Sequence, residues 1–309
     1  MPKRLLLLIC ILLCTVYFSG VMQSKQLPYI SLWPDSLQAE KNDVTPKTDT
    51  IRIAIVSSAS ARKSFIFYQD FVDYFEQKAG LQVELILREN YNIANGLVCE
   101  GSVDLAFISS FSYVLSESNC NYSLLLRPIA KDDTPYCSCI IVRGDSDIQS
   151  LKELRGKTFT FTDPLSTLGR LYPLYLLTTA GESSNTFFEN VYYASSTDYA
   201  LHSLDSRLVE GAAINSLVLQ SLNLPSKEFA SRFKIIHQSE PFPLNPLVVN
   251  TNMHPDRQKI LKNILLTMHE DNRGAAILHD LGYSHFVAAK PADYDRIREM
   301  VSVVKDQLP

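Results

Sequence analysis

Short apolar strands alternate with amphipathic helices from residue 51 onward, and this alternation limits the fold more than any other feature of the chain. The first strand is predicted at Ile51 to Val56, and the helix that follows it ends at Gly80. Further strands are predicted at 81–87, 103–108, 158–161, 190–193, 211–214, 233–236 and 246–249. Strands joined by helices in this order predict an α/β fold with largely parallel sheets.

The N-terminal segment differs from the rest of the chain and predicts export. Lys3 and Arg4 precede an apolar run from Leu5 to about Val21, a length at which a signal peptide and a membrane anchor are hard to separate. A small-x-small cleavage site is not evident, so two fates of the leader stay open: removal, or retention of residues 5–22 as an inner-membrane anchor. In either case we expect the folded part to lie in the periplasm.

The domain boundaries follow from changes in composition along the 309 residues, a length that suffices for two lobes. Residues 1–24 form the leader, as a signal peptide or a membrane anchor. Residues 25–50 are polar, contain three prolines and show no period, which predicts a tether. We assign residues 51–140 and 246–309 to a first lobe and residues 141–245 to a second.

The charge balance excludes one class of partner. The net charge is −4, and no block of Lys or Arg follows the leader, so nucleic acid is not an expected partner. An acidic protein that binds an anion must rely on local dipoles and hydrogen-bond donors rather than on its overall field.

Four cysteines follow the leader: Cys99, Cys120, Cys137 and Cys139. An even number in an exported chain permits two disulfides. Buried or unpaired thiols are the favoured interpretation, and a bridge from Cys120 is the main alternative. A metal site at Cys137-x-Cys139 is not expected, because no His or second Cys pair has suitable spacing.

The stretch from Thr160 to Tyr172 offers the kind of local donors that an anion needs. The alternating strand 158–161 leads through Pro164 into a helix, and Ser166 and Thr167 stand at its first turn. Backbone N–H groups there have no partner within the helix, and an oxyanion fits at the positive end of the helix dipole. The simpler interpretation of the same pattern is that Ser166 only caps its own helix.

Several short motifs follow one another in a specific order along residues 51–301. They are Ser60 and Ser64 ahead of Tyr68, Arg88-x-x-Tyr91-x-x-x-Asn95, Val103-Asp104-Leu105-Ala106-Phe107 followed by Tyr113, Tyr136-x-Ser138, Asp163-Pro164-x-Ser166-Thr167-x-Gly169, and Gly211-Ala212-Ala213-Ile214-Asn215-Ser216. In this order and spacing they resemble the phosphate-, phosphite- and phosphonate-binding proteins of ABC transporters, the PhnD-like family.

This resemblance implies a type II periplasmic-binding-protein fold, in which two α/β lobes are joined by two hinge strands and the ligand lies in the cleft between them. The hinges are expected near Ser138–Val142 and Pro243–Val249, with the last helices returning to the first lobe. The resemblance also implies a non-enzymatic binding protein, without cofactor or metal. Such a protein captures a phosphorus oxyanion (phosphonate, phosphite or phosphate) and delivers it to an ABC permease in the inner membrane.

The same resemblance assigns ligand-binding roles to individual residues. Ser166, Thr167 and the amide of Leu168 are expected to hold the oxyanion. Tyr113 and Tyr136 are expected to close over it from the first lobe or the hinge, because a Tyr hydroxyl can donate to an anion while its ring excludes water.

Three further residues are expected to contact the ligand, and two of them differ from the residue that is common in the family. The family commonly has His-Asp where this chain has Thr197-Asp198, and Asp where this chain has Asn215. We expect Thr197, Asp198 and Asn215 to orient the remaining groups of the ligand. An ionised Asp198 repels a dianion, so a protonated ligand oxygen that donates to Asp198 is preferred.

Other functions stay open or are excluded by missing residues. The leader and the tether favour, as an alternative, a periplasmic ligand-sensing module of a membrane signalling system. A hydrolase is not expected: Ser60-x-x-Lys63 lacks its Lys-Thr-Gly partner, and His269 with the Glu after it lacks a second His four residues on. Asp104 and Asp163 are expected to stabilise turns.

Overall fold

The computed structural model describes residues 50–56, 61–217 and 227–308. The leader and nearly all of the predicted tether lie outside the described residues, as does Ser60, and the side chain of Ser64 is not described either. None of the helices in these three ranges is long and apolar enough to span a membrane.

The strands lie in two separate sheets. In chain order they are β1 Thr50–Val56, β2 Gln82–Arg88, β3 Leu105–Phe107, β4 Tyr122–Ala130, β5 Ser138–Arg143, β6 Thr158–Phe161, β7 Asn190–Tyr193, β8 Gly211–Asn215, β9 Phe233–Gln238, β10 Leu247–Asn250 and β11 Tyr283–Ala288. The first sheet has the order β11-β4-β10-β3-β1-β2, and the second has the order β7-β6-β8-β5-β9. We call the parts of the chain built on these sheets the first and second lobes.

Helices connect the strands and cover the sheets. In chain order they are α1 Ala61–Ala79, α2 Tyr91–Glu100, α3 Ser110–Ser116, α4 Tyr172–Thr179, α5 Ser184–Phe187, α6 Thr197–Asp205, α7 Lys227–Arg232, α8 Pro255–Leu266, α9 Asn272–Asp280 and α10 Asp295–Val304. Short 3₁₀ turns occupy Lys131–Asp133, Leu151–Leu154, Met268–Glu270, Pro291–Tyr294 and Lys305–Gln307.

Both sheets are mixed, so the expectation of largely parallel sheets is wrong. β1 runs parallel to β2 and β3, and β6 runs parallel to β7 and β8. β10 is antiparallel to both of its neighbours, and so is β5. These two strands follow the crossings of the chain between the lobes, and each runs antiparallel to the strands on both sides of it.

Aromatic side chains form much of the core of each lobe. In the first lobe, Phe71 and Phe75 of α1 are stacked with ring centroids 5.9 Å apart, and Phe71 meets Phe107 of β3 edge-on. In the second, Phe159 of β6 stacks on Phe188 at 4.4 Å. Such ring pairs stabilise a core beyond their area of burial. Each lobe has a buried cluster of its own, and a third cluster contains residues of both lobes, among them Phe111 and Phe159.

Two segments cross between the lobes. The first lies between β4 and β5, and the second between β9 and β10. All of β5 belongs to the second sheet, so the predicted boundary at residue 140 falls inside this strand. The last helix, α10, contacts α3 of the first lobe and α4 of the second, and it therefore stabilises the approach of one lobe to the other.

The cysteines divide into one bridge and two thiols. Cys99 at the end of α2 forms a disulfide with Cys120, which follows α3. Cys137 and Cys139 are free and buried. The bridge from Cys120, which was the main alternative in the sequence analysis, is therefore present, and the favoured interpretation of buried thiols holds for the other pair.

Candidate functional site

The predicted turn from strand to helix is present and tightly built. β6 ends at Phe161, and a single π-helical turn, Thr167–Leu171, runs directly into α4. Ser166 is the N-cap, and its Oγ accepts from the N–H of Gly169 at 2.9 Å. A Cβ on Gly169 would lie 1.8 Å from Oγ1 of Thr162, so glycine is required there. The capping role of Ser166 is thus confirmed.

Capping leaves several donors of this turn available. The N–H groups of Thr167 and Leu168 occupy the first two helical positions, where no acceptor exists within the helix. The Ser166 Oγ acts as an acceptor in its cap, so its own O–H can still donate. These groups converge at the positive end of the helix dipole, which favours an anion there.

The first lobe faces this turn directly. The N–H of Phe111, in the first turn of α3, donates to Oγ1 of Thr167 at 2.9 Å. The Ser109 hydroxyl of the first lobe donates to the carbonyl of Leu165. From within the second lobe, the hydroxyl of Ser138 in β5 donates to the carbonyl of Leu168 at 2.6 Å. As an acceptor from Phe111, the buried Thr167 hydroxyl keeps its proton for another partner.

Asp163 links the two lobes at the same place. One carboxylate oxygen accepts from the N–H of Leu165 in its own turn at 2.6 Å, and the other accepts from the N–H of Tyr91 at 3.1 Å. Tyr91 is the first residue of α2 in the first lobe. Burial raises the pKa of Asp163 above its ordinary value, although these two bonds and the nearby Arg170 oppose that rise. The predicted turn-stabilising role holds, with an additional contact across the lobes.

Tyr91 presents a hydroxyl whose proton is not used by its protein partner. Nδ2 of Asn245 donates to the Tyr91 oxygen at 2.9 Å, so the phenol is the acceptor in that bond. Burial raises the pKa of Tyr91 well above its ordinary value, so the proton stays on the oxygen. Oδ1 of Asn245 accepts from the N–H of Ser110 at 3.3 Å, and this orients the amide.

Tyr136 lies with Tyr91 in a group of tyrosines. It is 8% exposed, and burial raises its pKa. Tyr91 and Tyr283 are both close enough to Tyr136 to interact with it electrostatically, and Tyr68 donates to or accepts from Tyr283. Tyr136 thus lies on the Tyr91 side of the site, and its role in covering a ligand stays a prediction.

Tyr113 has a different environment from the one predicted. Its ring lies 5.1 Å from that of Tyr294 and 6.5 Å from that of Tyr122. Its hydroxyl lies beside the carboxylate of Glu117, and burial together with that carboxylate raises the pKa of Tyr113. Glu117 pairs bidentately with Arg298 of α10 at 2.7 and 2.6 Å. Since the hydroxyl is engaged in this network, we do not retain Tyr113 as a ligand donor.

The remaining predicted residues follow the carboxyl ends of parallel strands next to β6. Thr197 and Asp198 begin α6, four residues after β7 ends, and Thr197 is buried. Asn215 ends β8, where it is paired with Ser138, whose hydroxyl bonds the carbonyl of Leu168. Ligands of open α/β sheets lie outside such strand ends. Three neighbouring strands therefore direct predicted residues to one edge of the second sheet.

Sequence reasoning missed several residues of this arrangement. Ser109, Ser110 and Asn245 were not considered, and Tyr91 was named only as part of a motif. Ser110 is 1% exposed, and its Oγ has no hydrogen-bond partner among the described atoms. The polar run Ser109-Ser110 directly after a buried strand was the available sign. Asp104, by contrast, accepts from the N–H of Arg52 at 2.8 Å and serves the first sheet only.

No group of three or more His, Cys, Asp or Glu side chains in the described ranges is arranged to hold a metal ion.

A family model described as ABC transporter, phosphonate, periplasmic substrate-binding protein matches residues 53–294. The chain belongs to this family. The resemblance drawn from the motifs is thereby confirmed, and so is the type II periplasmic-binding fold. Members of the phosphonate-binding family are substrate-binding components of transporters.

Individual relatives are more distant. The phosphate-import protein PhnD of Mycolicibacterium smegmatis is 32% identical over 130 residues, and this match spans 40% of either protein. A binding protein component of an ABC phosphonate transporter from Pseudomonas aeruginosa is 23% identical, with a TM-score of 0.78 over 84% of this chain and 87% of that one. The PhnD1 protein of Prochlorococcus marinus, in complex with methylphosphonate, is 18% identical, with a TM-score of 0.75 over 83% and 98%. The two structures show the shared fold.

Proposed function

We propose that this protein is the substrate-binding component of an ABC-type importer, and that it captures a phosphorus oxyanion (phosphonate, phosphite or phosphate) between its lobes. The observation that carries the proposal is the turn at Ser166, where main-chain and hydroxyl donors meet the first lobe. Its partner is an ABC permease of the inner membrane, and its role is binding rather than catalysis. We place the folded part in the periplasm, with the leader either removed or retained as an inner-membrane anchor.

The oxyanion is held by donors from the second lobe and closed in by the first. Ser166, Thr167 and the N–H of Leu168 donate to its oxygens. The unused proton of the Tyr91 hydroxyl and the hydroxyl of Tyr136 serve the same ligand from the other side, with Tyr91 taking the place that the sequence assigned to Tyr113. A neutral phenol is suited to this task, because burial keeps its pKa high.

Thr197, Asp198 and Asn215 orient the rest of the ligand from the neighbouring strand ends. Each stands after the carboxyl end of a strand parallel to β6 or at that end. The carboxylate of Asp198 is suited to accept from a protonated ligand oxygen. A phosphorus oxyanion that carries one proton matches that set of donors and one acceptor.

The energies show why both lobes are needed. A hydrogen bond to a charged group contributes about 1.5–3 kcal/mol, whereas micromolar binding requires about 8 kcal/mol beyond the cost of association. The Ser166 turn alone supplies part of this. The Tyr91 and Tyr136 hydroxyls provide the remainder on closure of the lobes.

The test is calorimetry on a double variant, Ser166→Ala with Thr167→Ala, after a thermal-shift panel of phosphate, phosphite and methylphosphonate has identified the ligand that raises the melting temperature. We expect the variant to remain folded and to lose binding. A matched control is Thr179→Ala with Ser203→Ala, two hydroxyls that bond only the backbone of their own helices. Unchanged affinity in the site variant, or an equal loss in the control, contradicts the proposal.

A further inference from the structure

The second lobe carries a buried positive charge beside the Ser166 turn. Among the described side chains, Asp163 and Arg170 are the two formally charged ones that are more than nine-tenths buried, with 4% and 7% exposed. Both belong to the turn that follows β6. Neither forms an ion pair within 4 Å with another described residue, although each influences the other electrostatically.

The Arg170 guanidinium is incompletely satisfied. Its Nη1 donates to the carbonyl of Pro164 at 2.7 Å, and its Cζ lies 5.9 Å from the centre of the Tyr193 ring. Its Nε is buried and has no hydrogen-bond partner among the described atoms. A buried charged donor without a partner costs free energy that a purely structural residue would not impose.

The position of this charge along the helix makes the cost larger. The N–H of Arg170 donates to the carbonyl of Ser166, so the residue lies in the first turn. A cation at a helix N-terminus is repelled by the helix dipole. Asp163 offsets this only in part, because both of its oxygens already accept from the N–H groups of Leu165 and Tyr91.

The negative charge of a bound anion offsets both the burial of the Arg170 charge and its repulsion by the helix dipole. Pro164 lies in the turn after β6, and Tyr193 ends the neighbouring strand β7. The guanidinium therefore stands at the edge of the sheet where the donors of Ser166, Thr167 and Leu168 converge. Within a largely buried site a full charge interacts more strongly than it would in water.

We propose that Arg170 determines specificity for charge: it makes the site bind doubly charged oxyanions more tightly than singly charged oxyanions of the same shape. The proposal rests on the function proposed above and narrows it to dianions that keep one proton on oxygen for Asp198, as hydrogen phosphate (HPO4²⁻) does. Arg170 acts through its charge at the wall of the site, and no direct contact with the ligand is required.

The test is the pH dependence of phosphate binding, measured by calorimetry at about pH 5 and about pH 8, on either side of the second ionisation of phosphate, where the ligand changes from H2PO4⁻ to HPO4²⁻ and keeps a proton for Asp198. For the wild type we expect tighter binding at the higher pH. Arg170→Met should lose at least about tenfold in affinity at the higher pH, or about 1.4 kcal/mol, and much less at the lower. Arg170→Lys, which keeps the charge, should retain the ratio of the two affinities.

Two controls separate ligand ionisation from other causes. Arg155→Met changes another second-lobe arginine, which lies 4.7 Å over the Phe187 ring and pairs with Glu182, and it should behave as the wild type. The titratable groups near Arg170 are Asp163, Tyr193 and, from the first lobe, Tyr91, with Asp198 on the next helix. Asp163→Asn should preserve the ratio, because the ligand and not this carboxyl is the group that titrates.

Each outcome decides the matter. If Arg170→Met weakens binding equally at both pH values, or if the wild type binds no more tightly at the higher pH, Arg170 does not select for charge. The second result needs no variant and stands even if Arg170→Met fails to fold. If the wild type binds neither methylphosphonate nor phosphate at either pH, the proposed function itself fails.

Discussion

At the scale of single residues, the site depends on hydroxyl groups that accept from the protein and keep a proton for the ligand. Thr167 accepts from the Phe111 N–H, Ser166 from the Gly169 N–H, and Tyr91 from the Asn245 amide. A hydroxyl can do both at once. The protein groups therefore fix the direction of each remaining proton before a ligand arrives, which lowers the cost of ordering the site.

Removing the Tyr91 hydroxyl should weaken binding without unfolding the protein. Tyr91→Phe deletes one donor to a charged ligand, and we expect a loss of about tenfold or more in affinity by calorimetry. Tyr113→Phe is the matched control, because the Tyr113 hydroxyl lies beside the carboxylate of Glu117. An equal or larger loss in the control would restore Tyr113 to the site and argue against Tyr91.

Asp163 should make stability depend on pH in a predictable direction. Burial raises its pKa in the folded protein, so the folded state binds the proton more tightly than the unfolded state does. The free energy of unfolding of the wild type should therefore fall relative to that of Asp163→Asn as the pH rises from the unfolded pKa through the folded one. Urea unfolding across this range measures the difference, and a difference of opposite sign would contradict the assignment.

At the scale of elements, the first turns of α2 and α3 are held against the second lobe. The disulfide from Cys99 to Cys120 connects the end of α2 to the segment after α3, and the Glu117–Arg298 pair connects α3 to α10. Arg298 lowers the pKa of Glu117 and keeps it ionised. Because α10 also contacts α4, the elements around the site are tied together from behind.

Loss of the disulfide should cost stability more than affinity. The bridge closes a loop with a sequence separation of 21, and we expect Cys99→Ser with Cys120→Ser to lower the free energy of unfolding by about 2–4 kcal/mol. Urea unfolding of this variant, compared with the wild type in the presence and absence of reductant, measures the effect. A wild type indifferent to reductant, or a variant of equal stability, would show that the bridge does not stabilise the protein.

The sequence predicted some elements well and others not at all, for physical reasons. β6 and β7 were predicted residue for residue, since each is a short alternating run between clear turn residues. β11 was not assigned, because Ser284 and His285 interrupt the apolar pattern of this edge strand. α9 was not assigned either. The Ser166 turn is formed by one continuous segment of the chain, so it could be predicted from the sequence of that segment alone. Tyr91, Ser110 and Asn245 meet only after distant segments fold together, and the Arg298 guanidinium that lies over the Tyr113 ring comes from α10.

At the scale of the whole molecule, the fold provides two walls and a way to bring them together. The mixed sheets place three parallel strand ends of the second lobe opposite α2 and α3 of the first, and direct bonds join the lobes at Asp163 and Thr167. Two crossings and α10 connect the lobes. The assigned limit at residue 245 lies within the second crossing, whereas the limit at residue 140 lies inside β5; both limits stay a proposal.

A crystal structure of the protein grown with methylphosphonate would test the central claim most directly. We expect ligand oxygens at hydrogen-bond distance, about 3 Å, from the N–H of Leu168 and the hydroxyls of Ser166 and Thr167. The Tyr91 hydroxyl should lie on the opposite side of the ligand. A ligand bound elsewhere, with the donors of this turn occupied by the protein's own groups, would contradict it.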